Sequence, residues 1–220
     1  MKQETHFSQA TPPGRGAISI IRLSGPDAVR SVSKICDKII LPLTHKRPIL
    51  TTVYDTNNSP IDSALVTFFP KPDSYTGEDM IELSCHGNPH IVDAVFESLL
   101  KTGIRLSEPG EFTKNAFLNG KIDLIQAESI GNLISSRSKV AAKMSLRILR
   151  GDLTARLLKI RGSLIDLLSK YEFELDISEE DDFSIISSRK AMSIIVKCMR
   201  GCDSLLKTYN DGLLYNQGVR

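Results

Sequence analysis

The sequence predicts an α+β domain followed by an α-helical bundle domain. In the first half, short apolar or alternating segments are bounded by turn residues, a pattern typical of strands. Prolines interrupt this half repeatedly, and none follows Pro109. After Ile122 the apolar residues recur every three or four positions, as they do in amphipathic helices. We therefore predict two domains, residues 1–121 and 122–220.

Strand and helix segments alternate in the first domain. The expected strands are 17–23, 49–55, 63–69 and 78–85. The expected helices are 26–36, 88–103 and a short closing helix at 110–121. The helix at 88–103 has the clearest start, because Asn88 suits an N-cap and Pro89 suits the first helical position.

The second domain is expected to contain three long helices. Their apolar stripes run through residues 130–148, 153–175 and 192–209. A turn is expected at Gly151, and the acidic segment 178–184 is expected to link the second helix to the third. Helices with wide apolar faces often need a further helix or a partner to close the bundle. We therefore expect an uncovered apolar seam.

Composition and charge are those of an ordinary soluble protein. Hydrophobic residues make up 41% of the chain, charged residues make up 25%, and the net charge is +2. No apolar run approaches the roughly 20 residues of a membrane span. The N-terminal residues resemble neither an export nor an organelle signal, and four cysteines without such a signal fit a reducing compartment. We expect a cytoplasmic protein.

The stretch Asn119-Gly120-Lys121 resembles a nucleotide-binding loop but lacks the required spacing. A phosphate-binding loop needs a glycine five residues before the Gly-Lys pair and a serine or threonine after it. Here those positions are Asn115 and Ile122. A guanine-reading motif needs adjacent Asn and Lys, which Gly120 separates. We do not expect this chain to bind nucleotide by itself.

The cysteines and histidines do not form a recognisable metal site. Cys85, His86 and His90 lie close together but lack a four-ligand frame. Cys198 and Cys202 share a helical face with apolar residues, so we expect both in the core rather than in a metal or redox pair.

Three charged residues are difficult to explain as solvated surface. Arg22 lies within an apolar strand, Glu82 lies on the half-polar face of another strand, and Lys121 ends the first domain. Arg22 and Glu82 could simply pair while Lys121 is solvated. Alternatively, the three could line a pocket for a flat, polar, anionic molecule, because a carboxylate accepts parallel hydrogen bonds from a ring edge and basic groups bind a carboxylate tail.

Charge is unevenly distributed in the second domain. Residues 137–161 contain eight Lys or Arg and one acid, whereas residues 166–182 contain eight acids and one Lys. Such runs are usually solvated helix faces. The alternative is a stripe for an RNA backbone, with Lys143, Arg147 and Arg150 as the best candidates.

Three stretches, in this order and at these intervals, resemble one known family. They are ATPPGRGAISIIRLSG (10–25), SYTGEDMIELSCHG (74–87) and PGEFTKNAFLNGKIDLIQAESIGNLI (109–134). Together they closely resemble the tRNA-uridine modification GTPase family (MnmE, also called TrmE). The stretch ELDISEED (174–181) resembles part of the central helical domain of that family.

The resemblance implies that the first domain is a tetrahydrofolate-binding domain similar to that of the glycine-cleavage T protein. Such a domain dimerises and binds 5-formyl- or methylene-tetrahydrofolate. The positions that match the folate contacts of the family are Arg22, Glu82 and Lys121. We assign no catalytic residue and no metal ligand to this chain.

The resemblance also implies the activity of a longer protein. Members of the family hydrolyse GTP with Mg²⁺ and K⁺. With a flavin-dependent partner of the MnmG (GidA) type, they add a carboxymethylaminomethyl or aminomethyl group to C5 of the wobble uridine, U34, of certain tRNAs. We expect the GTPase domain, the C-terminal helices with their cysteine, and a further folate-site lysine to be absent here, so the chain should be inactive alone.

The sequence departs from the family pattern at CHGNP (85–89), where a glycine pair is usual after the histidine. The departure affects none of the three folate positions. Arg15 remains a further candidate contact without an assigned role.

Two alternative functions stay open, a stand-alone folate-dependent one-carbon transferase and a purely structural dimerisation module. The helical second half argues against the former.

Overall fold

The computed structural model describes residues 4–37, 46–177 and 186–207. The chain divides into two compact units, Met1–Ile122 and Asp123–Arg220. The first unit is α+β and the second is helical, which confirms the predicted fold class at this level.

A six-stranded mixed sheet forms the centre of the first unit, in the order β3-β4-β5-β2-β1-β6. All neighbours are antiparallel except β1 and β6, which are parallel. The strands are β1 (His6–Gln9), β2 (Gly16–Ser24), β3 (Ile49–Tyr54), β4 (Pro60–Phe69), β5 (Met80–Gly87) and β6 (Arg105–Leu106). The four predicted strands are confirmed. Strands β1 and β6 were missed because four and two residues are too short to show a period.

Side chains alternate between the two faces of the sheet on the two central strands. Ile21 and Leu23 of β2 and Ile81 and Leu83 of β5 are fully buried on one side of the sheet. Because successive side chains of a strand point to opposite faces, the residues between them lie on the other side. Arg22 therefore lies on the face opposite the core.

Three helices accompany the sheet, as predicted. They are α1 (Ala28–Ile35), α2 (Pro89–Leu100) and α3 (Glu111–Leu118). Val32 of α1 and Val95 and Leu99 of α2 join the buried core of the sheet. The Asn88 side chain caps α2 by accepting a hydrogen bond from the main-chain N–H of His90, as the sequence predicts.

The second unit contains α4 (Leu124–Ser135), α5 (Lys139–Leu149), α6 (Asp152–Ile177) and α7 (Ser188–Lys207). The prediction of one helix through residues 130–148 was wrong, because the chain is extended at Ser136 and Ser138 starts a new helix by accepting a hydrogen bond from Ala141 N–H. Serines favour such caps because their hydroxyls compete with the helical ladder. The turn at Gly151 is confirmed by its left-handed φ of 91°. The predicted linker 178–184 lies outside the described residues.

Helices α6 and α7 pack together through a narrow buried line. Cys198 lies on this line, with its Sγ 4.0 Å from the carbonyl oxygen of Ile160. Cys202 is exposed, so its prediction as a core residue was wrong. Four residues advance a helix by about 400°, which places Cys202 about 40° away from the buried line.

The expected apolar seam is present on these two helices. Large apolar side chains beside the buried line remain exposed among the described residues. They are Leu164, Leu168, Tyr171 and Leu175 on α6 and Met192, Ile195, Met199 and Leu206 on α7. No helix in the described part of the chain is both long enough and apolar enough to cross a membrane.

Candidate ligand-binding site

Arg22 and Glu82 form an ion pair on the face of the sheet opposite the core. They are directly opposed in the β2–β5 register. Arg22 Nε and Nη2 donate to Glu82 Oε1 over 3.0 and 2.7 Å. The side chains are 25% and 22% exposed, so the pair is reachable from solvent. Within the described residues no hydrogen bond reaches Glu82 Oε2, which leaves one acceptor oxygen available.

Two aromatic rings flank the Arg22 guanidinium. Its Cζ lies 5.2 Å from the ring centre of Tyr75 and 5.6 Å from that of Phe112, both within the range of cation–π attraction. Tyr75 comes from the loop between β4 and β5, and Phe112 comes from α3. The Tyr75 hydroxyl and Thr113 Oγ1 are 2.9 Å apart, and this hydrogen bond joins the loop to the helix.

A buried polar cluster holds the loop that carries Tyr75. Ser24 Oγ donates to Glu78 Oε2 over 2.6 Å and lies 2.7 Å from Thr76 Oγ1. Ser74 Oγ donates to the main-chain oxygen of Glu78 over 2.5 Å. The Asn119 amide donates to the main-chain oxygen of Thr76 over 2.8 Å. Because all these bonds converge on residues 74–78, the loop is fixed to both β2 and the end of α3.

Lys121 lies across the same loop. Its Nζ donates to the main-chain oxygen of Pro72 over 2.9 Å and remains exposed. Gly77 has a left-handed φ of 79°, and a Cβ there would lie 3.2 Å from Lys121 Cγ and 3.1 Å from Asn119 Cβ. The backbone conformation therefore favours glycine, and a Cβ would make tight contacts that Asn119 and Lys121 would have to relieve by small shifts.

The three predicted site residues all lie near the loop between β4 and β5. Arg22 lies near Tyr75 of this loop, Glu82 binds Arg22, and Lys121 binds the main chain at Pro72. Arg22 and Glu82 touch each other, so the pairing that the sequence left open as one alternative is present. Lys121 contacts neither of them within the described residues and is related to them through the loop that holds Tyr75. Their role as ligand contacts stays a prediction.

A buried histidine, which the sequence did not single out, packs against the ring of Phe112. His6 is fully buried, and its ring centre lies 4.8 Å from that of Phe112. Asn115 Nδ2 donates to its Nε2 over 3.0 Å, so the neutral ring carries its proton on Nδ1 and donates to Ser107 Oγ over 2.7 Å. Burial lowers the pKa of His6, and Glu111, 3.7 Å away, opposes that shift.

Glu111 connects this histidine to an arginine. Arg105 donates to Glu111 through Nη1 and Nη2 over 3.0 and 2.5 Å and to Glu4 through Nε over 3.0 Å. Hydrogen bonds from Arg105 lower the pKa of Glu111 to about 2. The N-terminal strand, β6 and the start of α3 are therefore joined by one polar network.

Neither Tyr75, Phe112 nor His6 was identified as functional from the sequence. Tyr75 and Phe112 lie within two of the stretches that carry the family resemblance, which was the one available signal. His6 lies in a four-residue strand and meets Asn115 only through the fold.

The cysteine and histidine at the end of β5 make local contacts. Cys85 is buried, and burial is the main cause that raises its pKa to about 11. His86 lies 2.7 Å from Asp62 through its Nδ1 and also donates its main-chain N–H to Asp62. Arg15 lies exposed before β2. Within the described ranges, no group of His, Cys, Asp or Glu could hold a metal ion.

These features define the class of protein: two units, of which the α+β unit presents a partly exposed ion pair with two aromatic rings near its guanidinium. Residues 5–121 match the family model "GTP-binding protein TrmE N-terminus", and residues 124–220 match "MnmE helical domain". The chain therefore belongs to the MnmE (TrmE) family.

Individual relatives agree with this assignment. Three of them, each named "tRNA modification GTPase MnmE", come from Aquifex aeolicus, Neisseria meningitidis and Legionella pneumophila. The first is 38% identical over 96% of this chain and 47% of its own length. The second is 40% identical over 96% and 46%, and the third is 36% identical over 100% and 48%. The chain spans about half the length of the curated relatives it matches.

Proposed function

We propose that the chain is the N-terminal and helical part of a tRNA-modifying GTPase and that its first unit binds a reduced folate, 5-formyl- or methylene-tetrahydrofolate. The observation that carries this proposal is the Arg22–Glu82 pair with the rings of Tyr75 and Phe112 near its guanidinium. The proposed fold of this unit is the tetrahydrofolate-binding type found in the T protein. The proposed ligand residues are Arg22, Glu82 and Lys121.

The chemistry of a folate suits these residues. The pterin ring has an amidine-like edge with N–H donors, which the remaining oxygen of Glu82 can accept. Aromatic side chains suit a flat ring, and the exposed ammonium of Lys121 suits the carboxylates of the glutamate tail. When bound, the folate would supply the one-carbon group, and the residues of this chain would bind and orient it.

The proposal extends to a homodimer formed through the first unit. Leu50 and Leu65 are directly opposed on β3 and β4, Leu65 is opposed to Ser84 of β5, and Ser84 is opposed to Ile20 of β2. These four residues form a row across one face of the sheet, and its two leucines, Leu50 and Leu65, are 67% and 44% exposed. Glu82 shares this face with Ser84. A second copy covering the row would therefore also border the ligand site.

For the longer protein, the proposed activity is that of the family. A GTPase domain with Mg²⁺ and K⁺ and a flavin-dependent MnmG-type partner would act together in the cytoplasm. They would add a carboxymethylaminomethyl or aminomethyl group to C5 of U34 in certain tRNAs.

Calorimetric titration with 5-formyl-tetrahydrofolate tests the folate site. We expect the wild-type chain to bind and Arg22→Ala and Glu82→Ala each to weaken binding by about tenfold or more, because each loses a hydrogen bond to a charged group. Arg30→Ala and Glu97→Ala remove the same charges from exposed positions on α1 and α2 and should bind as the wild type does. Wild-type affinity in both site variants would refute the proposed site.

A further inference from the structure

Helix α5 presents a row of basic side chains to solvent. Every member is exposed, and the buried residues of the helix, Ala141 and Ser145, lie on the opposite side. At 3.6 residues per turn the members fall within an arc of about 80° and extend over about 16 Å of the helix. This basic stripe consists of Lys139, Lys143, Arg147 and Arg150.

Helix stability explains only the C-terminal half of the stripe, where Arg147 and Arg150 lie near the negative end of the helix dipole. Like charges four residues apart repel each other, and a cation in the first turn opposes the helix dipole. Lys139 occupies that first turn, which contains no acid. Arg147 is paired, with Nε 2.9 Å from Asp152 Oδ2. The side chains of Lys139, Lys143 and Arg150 make no hydrogen bond or ion pair with any described residue.

We propose that the basic stripe binds the phosphate backbone of tRNA. The inference rests on the proposed function, which names tRNA as the substrate of the longer protein. A straight row of like charges matches a linear polyanion better than a compact acidic group. The N–H groups at the start of α5 add to the positive potential at its Lys139 end. Contacts of this kind position an RNA without reading its sequence.

Helix α7 is the matched comparison, because it is also basic. Lys190, Lys197 and Arg200 are exposed there, but Asp203 lies one turn from Arg200, and an exposed apolar stripe runs along the same helix. Reversing three charges on α7 changes the net charge by as much as reversing three on α5. The two triple variants therefore separate a local contact from the general effect of charge.

The experiment measures binding of the chain to a fluorescein-labelled, unmodified tRNA transcript by anisotropy, between about 50 and 200 mM salt. We expect Lys139→Glu/Lys143→Glu/Arg150→Glu to weaken binding by about tenfold or more and to reduce the slope of log K against log salt by about 2. Lys190→Glu/Lys197→Glu/Arg200→Glu should stay within about threefold of the wild type. The single variant Lys143→Gln should reduce the slope by about 1, which keeps the test valid if the triple variant misfolds.

Three results would overturn the inference: no salt-dependent binding by the wild type, equal losses in the two triple variants, or an α5 variant that binds like the wild type. If an α5 variant keeps its affinity for tRNA but changes the sedimentation of the chain, the stripe is a protein contact, and the inference is overturned. The folate titration separates the two proposals. Unchanged folate affinity in Arg22→Ala and Glu82→Ala would count against the folate site, whereas normal folate binding by the wild type without tRNA binding would count against the stripe.

Discussion

Arg22 and Glu82 face each other across β2 and β5, and both guanidinium donors end on the same carboxylate oxygen. Two aromatic rings also contact the guanidinium, because the ring centres of Tyr75 and Phe112 lie 5.2 and 5.6 Å from its Cζ. The second oxygen of Glu82 stays available to a ligand. An ion pair that is structurally satisfied can therefore also serve a binding site.

The pair should contribute little to the stability of the fold. Both side chains keep about a quarter of their exposure, and we expect a pair that solvent still reaches to contribute little more than the roughly 0–1 kcal/mol of an exposed ion pair. We expect Arg22→Ala and Glu82→Gln each to reduce the free energy of unfolding by no more than about 1.5 kcal/mol, measured by urea denaturation. A loss above about 3 kcal/mol would instead identify the pair as a structural element.

The strand pattern singled out Arg22 and Glu82 as charged residues on largely apolar strands, because that pattern is local, but it left open whether they pair. The buried side of the sheet, set by Ile21, Leu23, Ile81 and Leu83, is seen only in the fold. Tyr75 meets Thr113 through a contact between residues 38 positions apart, which no local period records. The helix break at Ser136 was missed for a different reason, since the apolar stripe continues on both sides of it.

Gly77→Ala should disturb the loop that carries Tyr75. Its φ of 79° disfavours any side chain, and an added Cβ would crowd Asn119 and Lys121. Gly103→Ala is the matched control, because its φ is 97° and nothing lies within 4 Å of an added Cβ. Backbone strain should lower the free energy of unfolding of both variants by about 1–2 kcal/mol. Gly77→Ala should lose a further amount because its Cβ is crowded, and it should also weaken folate binding in calorimetry. Equal losses and unchanged binding would contradict the role of Gly77 in spacing the loop.

The stability of the first unit should fall on acidification in two stages. The pKa of His6 is below 6.5 in the folded state, so as the pH falls His6 binds a proton in the unfolded chain before it does so in the folded one. Stability from neutral His6 is thus present above pH 6.5 and is lost below it. The pKa of Glu111 is lowered from 4.5 to about 2, so its contribution is lost as the pH falls from 4.5 towards 2.

Urea unfolding followed by NMR signals of β2 at a series of pH values measures both stages. His6→Gln should remove the first stage and keep the second. His90→Asn changes an exposed histidine and should leave both stages unchanged. The assignment to His6 would be wrong if His90→Asn flattened the first stage while His6→Gln retained it.

The four cysteines should differ in reactivity toward a disulfide reagent such as DTNB near pH 8. Cys36 and Cys85 are buried, and burial is the main cause that raises their pKa values to about 12 and about 11, so few thiolates form. Cys198 is buried against α6, whereas Cys202 is exposed. We expect one fast thiol per chain in the native state and four in urea. Cys202→Ser should abolish the fast phase and Cys198→Ser should preserve it. The reverse result would mean that α7 is rotated about its axis, with the apolar seam packed inward and Cys198 turned to solvent.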